Sequence, residues 1–478
     1  MKKRAGGVVG FVTAVCMGLI PAGTPTFAQV GDPTGTLASE NVTLLTSIPN
    51  PGVVGARFRD NLMYVTSVSG LRIYDITDPA APQEVGALAL PHFENEDVDL
   101  GGDILLISND AAESTGILYV VDISDPLNPA IASTFPMGGN PVDGGPGHTA
   151  SCVMDCQFAW VTDTLGIRVI DLRDPRAPKD LGTFESPAYG EAATHDVQVD
   201  GNGLPWVVGF GGAVAYKLPK NYDGNGLGKI VSQTDERGLS TYFAELGIGD
   251  GSNPNDFILH NSYRKKNSKV LYVTEEDYNR PGCRGAGSFE TWRVPTKKKG
   301  MPNGKQVTLM DHWETELNVA GAAAPAVMCS AHYFDVLGNV VAQGWYEQGI
   351  RFLDVSNPKN VRQIGFFSAP NSLNWAAYFA PTDPSGEIVY SLDASHGLDV
   401  LQLARPAQGK LSYPQKACKS DCARHKPKTA TMPIRPEWFA EPSVGTATDT
   451  FGYACRLNLI ADVEEGPELP PIPGLPRL

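Results

Sequence analysis

The chain has 478 residues, which is enough for one large domain or two of ordinary size. Its formal net charge of −15 disfavours binding to nucleic acid or to an anionic membrane surface. Its 51 glycines and 38 prolines separate short apolar runs, which indicates many turns between strands rather than disorder. We therefore expect an all-β protein with no nucleic-acid partner.

The N-terminus has the parts of a secretory signal peptide. Residues 2–4 are basic, Val8 to Ile20 is apolar, and residues 26–28 (TFA) form a small-residue cleavage site. We predict that residues 1–28 are removed and that the mature chain is secreted or periplasmic. No later stretch is long and apolar enough to predict a membrane span.

One short motif occurs four times: an apolar strand that ends in an acid and is followed by an Asp-Pro or Asn-Pro turn. The copies are LRIYDITDPAAP from Leu71, LYVVDISDPLNP from Leu118, IRVIDLRDPRAP from Ile167 and IRFLDVSNPKNV from Ile350. The first three begin about 50 residues apart, which is typical of a repeat architecture.

The motif sets the alignment of seven units across residues 41–403. Each unit holds four short strands, A to D, from the innermost to the outermost. The seventh unit ends at Leu403 without a D strand, whereas NVTLLTSIP (residues 41–49) is a D strand with no unit before it. Pairing the two closes a ring and protects its edges. We predict an all-β, seven-bladed β-propeller closed by an N-terminal outer strand, with an irregular C-terminal extension at residues 404–478.

Seven cysteines remain once Cys16 leaves with the signal peptide. In an oxidising compartment most of them should pair, and the odd count leaves one thiol over. The sequence does not fix their connectivity. They are Cys152, Cys156, Cys283, Cys329, Cys418, Cys422 and Cys455.

The C strands resemble those of the LVIVD-repeat proteins, which are extracytoplasmic propellers. The resemblance is firm in units one, two, three and six, which keep the strand-final acid as Asp75, Asp122, Asp171 and Asp354. Units four, five and seven depart from it, with Lys217, Val294 and Leu403 near that place. The resemblance implies the propeller fold and little about activity.

The starts of the seven A strands face one another across the predicted channel. Four successive units place a histidine there, in a chain that has eight. Imidazoles brought to one axis predict a transition-metal site, with Fe or Cu favoured and Mn or Zn as alternatives, because Ca²⁺ and Mg²⁺ prefer oxygen. A hydrogen-bonded histidine plug is the structural alternative. The aligned residues are Gly55, Glu96, His148, His195, His260, His332 and Asn374.

Further polar residues are expected near the channel mouth. The B–C loops contribute Glu275, Glu347 and Asp393, which could orient the imidazoles by accepting their second ring N–H. Glu96 is a candidate fifth metal ligand. The candidate acids or bases of a reaction are Tyr263, Tyr333 and His396.

Two functions fit this arrangement. The first is an exported metal-dependent enzyme, with an oxidoreductase favoured over a lyase or a hydrolase. It is similar in architecture to the carotenoid-cleaving oxygenases, and more loosely to selenium-binding/methanethiol oxidase proteins, although the sequence contains no local motif of either. The second is a non-catalytic propeller of the cell envelope that binds a protein partner. In both cases the channel mouth would receive a small molecule or a glycan.

Overall fold

The structure is a computed structural model that describes ten stretches of the chain. These are residues 36–50, 52–90, 97–109, 116–138, 147–163, 165–190, 193–234, 258–276, 287–320 and 330–404. The predicted signal peptide, most of the predicted C-terminal extension and Glu96 lie outside them. Within these stretches, no helix has the length and apolar character needed to cross a membrane.

Antiparallel sheets of four strands repeat seven times around a ring, which confirms the predicted propeller. Blade 1 contains β3 (Gly55–Arg59), β4 (Leu62–Ser67), β5 (Gly70–Asp75) and β6 (Gln83–Leu88). Blade 2 contains β7 (Val98–Gly101), β8 (Ile104–Asn109), β9 (Gly116–Asp122) and β10 (Ala130–Gly138). Blade 3 contains β11 (Ala150–Val153), β12 (Phe158–Asp163), β13 (Gly166–Asp171) and β14 (Lys179–Glu185).

The remaining blades follow the same order from the innermost to the outermost strand. Blade 4 contains β15 (Thr194–Val199), β16 (Pro205–Gly209), β17 (Gly212–Lys217) and β18 (Lys229–Gln233). Blade 5 contains β19 (Ile258–Tyr263), β20 (Val270–Glu276), β21 (Ser288–Arg293) and β22 (Thr308–Trp313). Blade 6 contains β23 (Phe334–Leu337), β24 (Val340–Gly344), β25 (Ile350–Asp354) and β26 (Arg362–Ser368). Blade 7 contains β27 (Asn374–Phe379), β28 (Ile388–Asp393) and β29 (Gly397–Leu403).

The N-terminal segment closes the ring at blade 7, as predicted. Strand β2 (Val42–Ile48) pairs antiparallel with β29, from Val42 opposite Leu403 to Ile48 opposite Leu398. A two-residue strand, β1 (Leu37–Ala38), adds a fifth strand to blade 6 by pairing with β26. The sequence did not predict this strand, because two residues carry no periodicity.

The Asp-Pro motif forms two successive side-chain-capped turns. The Asp75 carboxylate accepts a hydrogen bond from the Thr77 amide at 2.7 Å, and Asp78 accepts one from the Ala80 amide at 3.1 Å. The side-chain and backbone hydrogen bonds from Thr77 hold the pKa of the exposed Asp75 carboxyl below its ordinary value. Turns of this kind satisfy backbone groups that leave the ladder. The other copies repeat the pattern at Asp122 and Asp125, Asp171 and Asp174, and Asp354 and Asn357.

The same turns join neighbouring blades. The Ser133 hydroxyl of blade 2 donates to the Pro175 carbonyl in the turn of blade 3 at 2.6 Å. The Tyr390 hydroxyl of blade 7 donates to the Pro79 carbonyl in the turn of blade 1 at 3.0 Å. The motif is therefore a structural joint between blades.

The hydrophobic core is divided among the seven interfaces between blades. Each interface holds one cluster of buried side chains contributed by both blades. The middle strands have apolar residues on both faces because both faces contact another blade. The largest fully buried side chains include Trp160, Trp206, Trp292, Trp345 and Trp375.

Acidic residues join the innermost strands, whose inner edges pair with no further strand. Asp99 of β7 accepts from the Cys152 amide of blade 3 at 2.8 Å, and Asp335 of β23 accepts from the Phe379 amide of blade 7 at 3.0 Å. Each carboxylate thus satisfies an edge amide of the next blade.

Cys152 also lies beside Cys156, with Cα atoms 4.3 Å apart, so the structure brings these two together. A disulfide there stays a prediction.

Candidate metal centre

The four predicted histidines form one continuous row on the channel. His195 and His260 lie within β15 and β19, whereas His148 and His332 lie just before β11 and β23. Successive ring centroids are 4.5, 4.2 and 4.0 Å apart in the order His148, His195, His260, His332. Their exposed fractions are 7%, 4%, 0% and 0%, so the row is shielded from solvent.

Backbone carbonyls fix the orientation of two of these rings. The Nδ1 of His195 is 3.2 Å from the His260 carbonyl, and the Nδ1 of His332 is 2.8 Å from the Trp375 carbonyl. A carbonyl only accepts, so Nδ1 carries a proton in both rings, and in the neutral form of each ring the lone pair is on Nε2. The Nε2 atoms of His148 and His195 are 3.0 Å apart.

A carboxylate that sequence reasoning passed over, Glu276, faces three of the histidines. Its oxygens lie 3.6 Å from His195 Nε2, 3.8 Å from His260 Nε2 and 4.0 Å from His332 Nε2. Glu276 is 3% exposed. It is the last residue of β20, where it pairs with Ile258 of β19. The strand alternation could have identified it, because Glu275 and Glu276 must point to opposite faces.

Tyr346 holds this carboxylate from the side of blade 6. Its buried hydroxyl donates a hydrogen bond to Glu276 Oε1. The backbone of Tyr346 has a φ of 24°, a conformation that costs a non-glycine residue about 1–3 kcal/mol. Amides of Gly349 and Asn374 donate to the Tyr346 carbonyl at 3.1 and 2.8 Å and keep the turn in place.

Aromatic rings form the wall around the row. The Tyr333 ring lies 4.7 Å from both the His260 and the His332 rings, so this predicted residue does belong to the cluster. The rings of Tyr346 and Trp375 lie 4.9 and 5.0 Å from His332.

Several predicted residues lie elsewhere. Tyr263 is at the far end of β19, where it pairs with Tyr272 and packs against the cluster between blades 5 and 6, because each strand residue advances about 3.3 Å. Glu347 is half-buried in the turn of blade 6, but the neighbouring Tyr346 is the residue that reaches Glu276.

The blade 7 candidates form a group of their own. Asp393 accepts from the Leu373 amide at 3.1 Å and from the Ser395 amide at 2.9 Å, so it caps loops of its own blade. His396 Nδ1 lies 4.0 Å from Asp393, and its side chain is 27% exposed. In the described part of the chain, Asp393 therefore lies near His396 and accepts hydrogen bonds from groups of its own blade.

Glu275 points away from the axial row. Its Oε2 accepts from the Ser288 hydroxyl at 3.1 Å, and its carboxylate groups with Glu290 and His312 inside blade 5. Burial lowers the pKa of His312, but hydrogen bonds to Glu290 and Glu314 raise it to about 10. The pleat of β20 sends Glu275 to the face opposite Glu276, so the structure places it with the blade 5 group.

A second layer of charged residues lies on the innermost strands. Arg57 of blade 1 pairs with Asp97 at 3.1 Å and with Asp99 at 3.4 Å. Burial raises the pKa of Asp97 well above its ordinary value and that of Asp196 to about 6. This layer is acidic overall, in contrast to the imidazole row.

Comparison with known proteins supports the fold. The LVIVD repeat model matches residues 59–89 and 111–136, which include the C strands of blades 1 and 2. No curated protein is significantly similar in sequence.

Two solved structures are similar to this chain at low sequence identity. The β-propeller domain of Myceliophteria thermophila Cps50 (Swd1) is 12% identical with a TM-score of 0.50, covering 76% of this chain and 99% of that domain. The WD40 repeats of RRP9 are 9% identical with a TM-score of 0.49, covering 77% of this chain and 99% of theirs. At such identities the likeness to the Cps50 domain concerns the fold alone. The chain is a seven-bladed β-propeller that carries LVIVD repeats.

Proposed function

We propose that His195, His260 and Glu276, whose ligand atoms all lie within 4.8 Å of one another, bind a transition metal ion on the propeller axis. His148 and His332, at the two ends of the row, would complete the predicted four-histidine site. The observation that carries this proposal is the position of Glu276. Its oxygens are 3.6–4.0 Å from three Nε2 atoms, which is beyond hydrogen-bonding distance. Two ligand atoms about 2.0–2.2 Å from one metal ion lie about 3.0–4.2 Å apart, depending on their angle. The separations match that range.

The ligand set favours particular metals. Several imidazoles and one carboxylate suit Fe, Cu, Zn or Mn, and they disfavour Ca²⁺ and Mg²⁺, which take oxygen ligands. Fe or Cu is our first choice, with Mn or Zn as alternatives. The carbonyls that accept from His195 and His332 would fix the tautomer that presents Nε2 to a metal.

An oxidoreductase is the activity that we favour for this site. A bound Fe or Cu ion would supply electron transfer or dioxygen chemistry. The protein would contribute a buried, aromatic enclosure and a proton donor, for which Tyr333 is a candidate because its ring lies 4.7 Å from two imidazole rings. The substrate would be a small molecule or a glycan that reaches the site through the channel mouth. With a Mn or Zn ion, a lyase or hydrolase would be the expected class.

A metal analysis of the purified chain tests the site. Protein prepared without a chelator and without a polyhistidine tag should contain about one Fe or Cu ion per axial site. His260→Ala and Glu276→Gln should lose it, and His396→Ala is the matched control, since His396 lies outside the row. Wild-type protein that binds no Fe, Cu, Mn or Zn ion on the axis, with unchanged stability in the histidine variants, would refute the proposal.

One observation favours the second candidate, a non-catalytic envelope propeller. The 3.0 Å separation of the His148 and His195 Nε2 atoms also suits an N–H···N hydrogen bond, as expected of a polar plug. A plug predicts stability that depends on the histidines without any metal. Unfolding measurements on chelator-treated protein would then show His148→Ala to be less stable than wild type. Adding metal would change the stability of neither protein.

Export is part of the same proposal. Expression in a bacterium with a periplasm, followed by mass measurement of the recovered chain, should show a mature protein that begins near Gln29. A cytoplasmic chain that retains residues 1–28 would contradict it.

A further inference from the structure

Blade 5 contains a second group of metal-ligating side chains, separate from the axial row. One ligand atom from each of Glu275, Glu290 and His312 lies within 4.8 Å of the other two. The three residues come from three adjacent strands, β20, β21 and β22, and belong to the face of the blade that packs against blade 4. Glu290 is 0% and Glu275 is 1% exposed.

Neighbouring groups hold the three side chains in place. The Trp292 indole N–H donates to Glu290 Oε2 at 2.7 Å, and the Ser288 hydroxyl donates to Glu275 Oε2 at 3.1 Å. The His312 Nδ1 lies 3.1 Å from Glu290 Oε1. Donors that bind one oxygen of each carboxylate fix the direction of the other, which is how pre-organised ligands are supported.

The second nitrogen of His312 has its own carboxylate. Its Nε2 lies 2.8 Å from Glu314 Oε1. A histidine that binds metal through one nitrogen commonly donates its other N–H to a carboxylate, which fixes the tautomer and raises the basicity of the ligand. Glu314 is in the position for that role.

We propose that Glu275, Glu290 and His312 Nδ1 form a second cation site, for Zn²⁺ or Mn²⁺. Two carboxylates and one imidazole are a mixed oxygen and nitrogen set, which suits these ions better than Cu or Ca²⁺. The ion would clamp the three outer strands of blade 5.

The two proposed sites share strand β20. Glu276 faces the axial histidines and Glu275 faces the blade 5 group, since consecutive residues of a strand point to opposite faces. The second site requires no activity at the first, and each can be removed without altering a ligand of the other.

Zinc stoichiometry tests the second site. Tag-free full-length protein is stripped with a chelator, dialysed against Zn²⁺ and then against buffer, and its bound zinc is measured by mass spectrometry. We expect about one more equivalent in wild type than in His312→Gln and Glu290→Gln. His396→Gln and Glu84→Gln are the controls, because they replace a histidine and a glutamate that lie outside both sites. Both should keep the wild-type zinc content.

The outcomes separate the two proposals. Loss of zinc only in His260→Ala and Glu276→Gln, with full retention in His312→Gln and Glu290→Gln, would overturn the blade 5 site, and the group would then be an ion pair of imidazolium with two carboxylates. Loss only in the blade 5 variants would support the second site and would show that the axial row does not hold zinc. If His312→Gln fails to fold by circular dichroism, Glu275→Gln decides the question, because its amide oxygen can still accept from Ser288.

Discussion

Replacement of Tyr346 by Phe isolates one hydroxyl in the candidate metal centre. The change keeps the ring and the backbone at φ 24°, and it removes only the donor to Glu276 Oε1. A hydrogen bond to a charged group contributes about 1.5–3 kcal/mol. Loss of an outer hydrogen-bond partner lowers metal affinity about 10–100-fold, which equals about 1.4–2.7 kcal/mol. The two independent magnitudes agree.

Competition titration against a chelator of known affinity would measure the change. We expect Tyr346→Phe to bind Fe²⁺ or Zn²⁺ about 10–100-fold more weakly than wild type, and to unfold at lower denaturant in the metal-bound form. Tyr272→Phe is the control, because this buried tyrosine of blade 5 has its pKa raised to about 12 by burial alone. Equal metal affinity in wild type and Tyr346→Phe, with weaker binding in Glu276→Gln, would refute the argument that Tyr346 positions the carboxylate.

Three further predictions concern the contacts between blades, the acidic layer and the Asp-Pro turn. A Cβ added at Gly86 would overlap the Pro126 carbonyl oxygen in the turn of blade 2, so Gly86→Ala should lower the free energy of unfolding by about 1–3 kcal/mol. Gly365→Ala meets side-chain atoms only at 3.2–3.3 Å and should cost less in the same urea titration; an equal or larger loss there would contradict the reasoning. Burial raises the pKa of Asp196 from 3.8 to about 6, so the folded state holds its proton more tightly than the unfolded state. The stability from this group is present below about pH 4 and is lost as the pH rises toward 6, by up to about 1.4 kcal/mol per pH unit. Asp196→Asn should remove this slope in unfolding experiments from pH 4 to 6, and a wild-type slope in the variant would contradict it. Asp75→Asn should remove a pH dependence of the opposite sign. The lowered pKa of Asp75 means that its carboxylate stabilises the fold at higher pH.

Repetition made most of the fold predictable. Each copy of the Asp-Pro motif carries its own turn chemistry, as the successive caps at Asp75 and Asp78 show, so the local sequence specifies the local structure. The alignment of the copies then placed His148, His195, His260 and His332 at one level, and the structure brings them together. The D strand at residues 41–49, with no unit before it, predicted the closure of the ring, and β2 pairs with β29 there.

The misplaced residues were those whose position depends on the face of a strand or the path of a turn. The sequence predicts Glu275 near the imidazoles, although the pleat sends its neighbour Glu276 toward the axis. The sequence predicts Glu347 near the imidazoles, whereas its neighbour Tyr346 is the residue whose hydroxyl reaches Glu276. Asp393 was assigned to the axial histidines, but it caps loops of blade 7. A repeat alignment gives the level of a residue along the channel and leaves its direction open.

The sequence by itself determined the number of blades, the closure of the ring and the column of histidines, because repeated local patterns encode all three. Only the tertiary structure decided which carboxylate meets the imidazoles and which tyrosine meets that carboxylate. It also decided that a neighbouring glutamate belongs to a different cluster in blade 5. The physical reason is that side-chain direction depends on pleat, register and backbone dihedral angles. A shift of one residue along a strand moves a carboxylate to the opposite face of its blade.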